Sequence, residues 1–135
     1  YRVNARQYIK KLSALDTRMH AGLAGLRSRD IVTFHEAFPY FAQAFNLKIV
    51  AVIAREPGSE PSARDLAETV KIIRKTGIKA LFAEPQYPSR AAQVIARETG
   101  ATVYALDPAV TGPIAPDAYI KIMENNLSEL QRALK

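Results

Sequence analysis

Apolar positions recur at spacings of three and four through the opening of the chain, at Tyr8, Leu12, Leu15, Met19, Leu23 and Leu26. That period belongs to one face of a helix, here over 4–26. Asn4 is placed to cap its start, and Gly22 and Gly25 weaken its last turns. From residue 30 onward the pattern changes. Short, nearly unbroken apolar runs, "IVTF" (31–34), "KIVAVIA" (48–54), "KALFAE" (79–84) and "TVYAL" (102–106), alternate with amphipathic stretches at 35–46, 60–77, 89–100 and 117–134. In the first of these stretches Pro39 belongs in the opening turn, where its missing N–H costs nothing. Ser62, with Asp65 three residues on, marks the start of the second, and Gly77 ends it. Ser89 and Gly100 bracket the third. A proline-rich loop over 108–116 precedes the fourth, which Asp117 is placed to cap.

Strands that are apolar throughout are covered on both faces, as in a parallel sheet. Four such strands alternating with helices imply right-handed β-α-β units. The expected fold is α/β, a three-layer α/β/α sandwich with a four-stranded parallel sheet, preceded by a long helix. The strand order 2-1-3-4 is expected by analogy with other doubly wound sheets. Internal repeats and low-complexity tracts are absent from the sequence.

Composition adds bounds. One hundred and thirty-five residues, 48% hydrophobic and 24% charged, suit one domain with a real core. No apolar run approaches the roughly 20 residues that span a bilayer, and no secretory signal heads the sequence. The chain opens on Tyr1 and is expected to be part of something longer. Zero cysteines exclude disulfides and thiolate metal sites and leave the compartment open. The net charge of +6 is concentrated in residues 1–30, where Arg2, Arg6, Lys10, Lys11, Arg18, Arg27 and Arg29 face only Asp16 and Asp30. A basic helix attracts phosphates, but only Tyr1 and Tyr8 interleave with the charges. No base-stacking platform is indicated, so no nucleic-acid partner is expected and a solvated helix face is the reading.

Ligands of an open parallel sheet bind outside the carboxyl ends of its strands. The first apolar run ends at His35, the second at Arg55 and Glu56, the third at Glu84 and the fourth at Asp107. A neutral imidazole and a carboxylate are ordinary ligands for zinc or manganese. Each residue also has a plainer use. A histidine opening a helix is commonly solvated, an aspartate before proline is commonly a turn residue, and a glutamate after a strand is commonly solvated or bonded to a helix N-terminus. No glycine-rich phosphate loop follows any strand, and no nucleophile elbow occurs. An aspartyl-phosphate role for Asp107 wants further acidic residues and a lysine, which the first strand does not offer.

In order and spacing, "VTFHEAFPYFAQAFNLKIVAVI", "SEPSARDLAETVKIIRKTGIKALFAEPQ", "IARETGATVYALDP" and "DAYIKIMENNLSEL" resemble the C-terminal lobe of the substrate-binding proteins of zinc and manganese ABC transporters. "NARQYIKKLSALD" resembles the end of the helix that joins the two lobes in that family. The resemblance implies a metal in the cleft between lobes, held by two histidines of the N-terminal lobe and two ligands of the C-terminal one, which map onto His35 and Asp107. Manganese receptors tend to carry glutamate at the first position, so His35 favours zinc over manganese. Glu84 is a candidate partner for the ligand His35, or alternatively a cap on the helix near Ser89. His20 matches no ligand position and is read as structural or solvated. The loop "PAVTGPIAP" lacks a leucine common after the proline, which leaves Asp107 unaffected.

On that resemblance residues 1–29 are the end of the interlobe helix and 30–135 the metal-binding lobe, with the N-terminal lobe missing. The expected function is capture of zinc for an ABC transporter permease, without catalysis. The expected setting is periplasmic or extracellular, soluble or as a lipoprotein, with no signal peptide in this chain. Zinc is expected to be weakly bound or absent in the lobe alone, whose uncovered face could pair two copies as a homodimer. The alternative is a metal-independent α/β interaction or regulatory module whose basic first helix binds an acidic partner. A third reading is a hydrolase using His35 and Asp107 as a proton-transfer pair.

Overall fold

The computed structural model describes residues 1–54, 60–88 and 90–135. Its elements follow in the order α1 (Arg2–Ala24), β1 (Asp30–Thr33), α2 (Pro39–Ala44), β2 (Lys48–Val52), α3 (Ala63–Thr76), β3 (Ala80–Ala83), α4 (Arg90–Thr99), β4 (Thr102–Ala105) and α5 (Ala118–Leu134). The strands form one parallel sheet in the order β2-β1-β3-β4. This is the α/β sandwich and the strand order that the apolar pattern implies. The order reverses between β1 and β3, so the crevice at a topological switch point lies outside their carboxyl ends.

Side chains alternate across the pleat and so build two cores. Ile31, Phe82 and Leu106 pack with Leu15, Met19 and Leu23 of α1, with Phe38, and with Met123 and Leu130 of α5. Val32 and Leu81, one residue along, pack on the other face with Ile73 of α3 and Ile95 of α4. The predicted stripe of α1 is the stripe it buries, with Leu15, Met19 and Leu23 enclosed and Tyr8, Leu12 and Leu26 half covered.

Three local expectations are corrected. Helix α1 starts at Arg2, with Tyr1 as its N-cap, so Asn4 lies within the helix instead of capping it. Residues 35–38 are not helical, and α2 begins at Pro39. A proline disfavours helical backbone in the residue before it, and Phe38 lies outside the helical region at φ −121°, ψ 17°, without being extended. Asp117 is the N-cap of α5 by position, yet its side chain makes no capping bond. Its carboxylate instead takes the Lys11 ammonium at 2.8 Å.

Ser62 does build the predicted capping box. Its Oγ accepts from the Asp65 N–H at 3.2 Å, and its own N–H donates to Asp65 Oδ2 at 3.0 Å. Gly77 ends α3 in the left-handed region at φ 70°. The expected Ser89 cap lies outside the described residues. At Gly22 the missing side chain has a further use, because an added Cβ would stand 2.8 Å from Leu127 Cδ1 on α5. Gln131 of α5 donates to the Gly22 carbonyl at 3.0 Å. With Arg18 paired to Glu124 at 2.6 Å, α1 is thus held along α5, and two of its cations are already partnered.

Candidate metal centre

The ladder continues past the formal strand ends: Phe34 N–H donates to the Phe82 carbonyl at 2.8 Å, and Leu106 N–H to the Ala83 carbonyl at 3.0 Å. That pairing carries rigid backbone up to His35 after β1, Glu84 after β3 and Asp107 after β4. His35 and Glu84 fall at the switch point, on neighbouring strands.

Both are almost fully enclosed, at 4% and 2% exposure. A buried carboxylate is costly unless hydrogen-bonded, and both Glu84 oxygens are used. The His35 ring donates from Nδ1 to Glu84 Oε2 at 2.9 Å, and the His35 backbone N–H donates to Oε1 at 3.3 Å. Phe34 and Tyr87 meet the ring edge-on, with centroids 4.7 and 4.8 Å away. Ring position, ring tilt and tautomer are therefore all fixed. With Nδ1 taken, Nε2 is the nitrogen left to act as a ligand or base. His35 also lines a cavity of about 400 Å³, together with Phe34, Glu60, Leu66, Tyr87, Arg90 and Val94 among others. Asp107 is not in that wall.

Asp107 is held by different partners. Asn126, buried on α5 at 3% exposure, accepts from the Asp107 N–H at 2.9 Å and donates to its carbonyl at 2.8 Å. The side-chain oxygen Oδ1 accepts from Gln86 Nε2 and from the Ala109 N–H, each at 2.8 Å. The second of these is the turn bond expected of an aspartate before proline, and Ala109 adopts φ 59° in making it. Turn duty occupies one oxygen. Oδ2 has no hydrogen-bond partner among the described residues.

The structure thus pairs His35 with Glu84, and Asp107 with Gln86 and Asn126, on the two sides of the exit of β3. Since β1 and β4 both flank β3, the two ligand candidates stand two strand spacings apart at the backbone, roughly 10 Å. Among the described residues no three His, Asp or Glu side chains gather closely enough to hold a metal by themselves. Arg55 and Glu56, the expected end of the second strand, lie outside the described residues. His20 sits on α1 with its side chain 55% exposed, 3.5 Å from Asp16 and tilted against Phe45. Sequence reasoning missed Gln86 and Asn126. The signal for Asn126 was a polar residue inside the apolar stripe of α5, between Met123 and Leu130.

Residues 1–133 match the family described as zinc-uptake complex component A, periplasmic. The chain belongs to that family. It is 35% identical over 133 residues to the zinc-binding lipoprotein AdcA of Streptococcus pneumoniae, a match that takes in 96% of this chain and 26% of that protein. It is similar in structure to the zinc-bound ZnuA-like domain of the same AdcA, with a TM-score of 0.78, 33% identity, 96% of this chain and 50% of that one covered. The substrate-binding protein FpvC of Pseudomonas aeruginosa, solved with manganese, aligns with a TM-score of 0.85 and 32% identity over 99% of this chain and 49% of that one. The chain therefore spans about a quarter of that curated relative's length and about half of each of those solved chains. Relatives with this architecture have been solved with more than one divalent ion, so the fold alone does not select the metal.

Proposed function

We propose that this chain is the C-terminal lobe of a receptor that captures zinc outside the cytoplasmic membrane and hands it to an ABC transporter permease. Residues 1–29 form the end of the helix leading from the N-terminal lobe, and residues 30–135 contribute His35 Nε2 and an oxygen of Asp107 to the metal. Zinc is the cargo, and the chemistry is binding without catalysis. The observation that carries this reading is the buried bond from His35 Nδ1 to Glu84. A metal-binding histidine ordinarily gives its other ring N–H to a carboxylate, a backbone carbonyl or water, which fixes the tautomer and raises ligand basicity.

Two donors do not complete a zinc site, which takes four ligands when closed. The remaining donors come from the other lobe in the whole receptor and from water in this chain alone. A histidine in place of a further carboxylate keeps one more nitrogen in the set, which suits zinc better than manganese. The reading of α1 as a basic docking face is weakened because Lys11 and Arg18 already pair with Asp117 and Glu124. The face another lobe would cover is open at Tyr87, so two copies are expected to pair through it as concentration rises, which light scattering reads.

Nuclear magnetic resonance of the two imidazoles tests the site. Zinc, being diamagnetic, should shift the ring resonances of His35 and leave those of His20 in place. Shifts confined to His20, or none at either ring, would remove the proposal.

A further inference from the structure

The exit of β3 serves both ligand candidates. Glu84 takes the His35 ring, and two residues on Gln86 takes the Asp107 carboxylate. We infer that Gln86 is a positioning residue that limits Asp107 to a single ligand oxygen and so favours four-coordinate zinc over ions that take more ligands. The inference rests on the metal-capture reading above.

The geometry has three parts. Asp107 cannot turn at the backbone, because Asn126 bonds both its N–H and its carbonyl. Its Oδ1 already receives two donors, Gln86 Nε2 and Ala109 N–H, both at 2.8 Å. The amide orientation of Gln86 is also set, since only its Nε2 end can face a carboxylate oxygen. That orientation leaves Gln86 Oε1 enclosed and without a hydrogen-bond partner among the described residues. An enclosed acceptor without a donor costs stability. Among the described residues the bond to Asp107 is the one side-chain hydrogen bond Gln86 makes, so its placement restrains Asp107.

The consequence concerns how many oxygens a metal can take. A carboxylate whose two oxygens are both accessible can clasp an ion from both sides, as hard cations with six or more ligands favour. Zinc settles for fewer donors in a tetrahedral set, and manganese prefers octahedral oxygen ligation. With Oδ1 held by Gln86, Asp107 offers Oδ2 and little else. Without the amide, Oδ1 keeps only the Ala109 N–H and becomes available to a larger coordination sphere.

The test is a pair of titrations on this chain, one with zinc chloride and one with manganese chloride. They are run on the wild type, Gln86→Leu, Gln86→Ala and Asp107→Ala, with the thermal unfolding of each followed alongside. Gln86→Leu should weaken zinc about tenfold, at the low end of what partners of a ligand contribute, and weaken manganese less or strengthen it. The preference for zinc then narrows. Gln86→Ala should show the same narrowing and serves if the leucine variant does not fold. Equal losses for both metals, or no change in either, would overturn the role of Gln86 while the metal site stands. A wild-type chain that binds neither ion, or Asp107→Ala binding as the wild type does, would overturn the site and this inference together.

Discussion

In the proposed site, His35 shows how neighbours can prepare one residue to serve as a ligand. Its ring is enclosed by Phe34 and Tyr87, and its two donors end on one almost fully buried carboxylate. Glu84→Ala should therefore cost more than a surface change. It leaves two buried N–H groups without an acceptor, at about 1–3 kcal/mol each, and should weaken zinc about 10- to 100-fold. Thermal unfolding reads the first effect and a zinc titration the second. Glu84→Gln keeps an acceptor for only one of the two N–H groups and turns its own NH2 toward the other. It should therefore lose less stability than alanine while still losing zinc affinity, because a neutral amide supports the imidazole less. Asn126→Leu fills a similar space but abandons the Asp107 backbone, so it should destabilise by about 1–3 kcal/mol, read in the same melts. The positions of His35 and Asp107 at strand ends were legible in the sequence because strand ends can be read from apolar runs, while their proposed role as ligands came from the family resemblance. Gln86 and Asn126 were not, because which side chain meets Asp107 depends on neighbours 21 and 19 residues away.

At the scale of elements, backbone chemistry separates two glycines that look alike in the sequence. Both end helices, and an added Cβ would meet nothing within 4 Å at either. Gly77 holds φ 70°, a left-handed conformation, so Gly77→Ala should cost about 1 kcal/mol. Gly25 holds φ −93°, which alanine accepts, and Gly25→Ala should stabilise by about 0.4–1 kcal/mol through the unfolded chain. Denaturant melts of the pair check the opposite signs. The elements themselves were readable from period, length and the Ser62 and Gly77 signals. Their starts were less so. Pro39 placed the start of α2 correctly as a first-turn residue, yet the apolar pattern at 35–38 still read as helix, since Phe38 is buried in either conformation. Asp117 had the right identity for a cap, but the distant Lys11 took its carboxylate, and no local rule anticipates a partner 106 residues away.

At the scale of the whole molecule, the sheet supplies the frame and the family membership supplies the context. A parallel sheet reversing between β1 and β3 puts His35 and Glu84 in the crevice where such sheets bind ligands, and β4 brings Asp107 to the same edge. The central claim is that His35 and Asp107 together are this lobe's share of a zinc site. Closed four-ligand sites in small peptides bind zinc with roughly 10–16 kcal/mol. Half of such a set, completed by water, should hold the ion only with a dissociation constant of about 1 μM or weaker, on the same scale. Zinc calorimetry on the wild type and on His35→Ala, Asp107→Ala and His20→Ala tests this most directly. The account predicts weak binding to the wild type, its loss in each of the first two variants, and no change in the third. Nanomolar binding by the monomeric chain, or loss of binding on removing His20 alone, would contradict it.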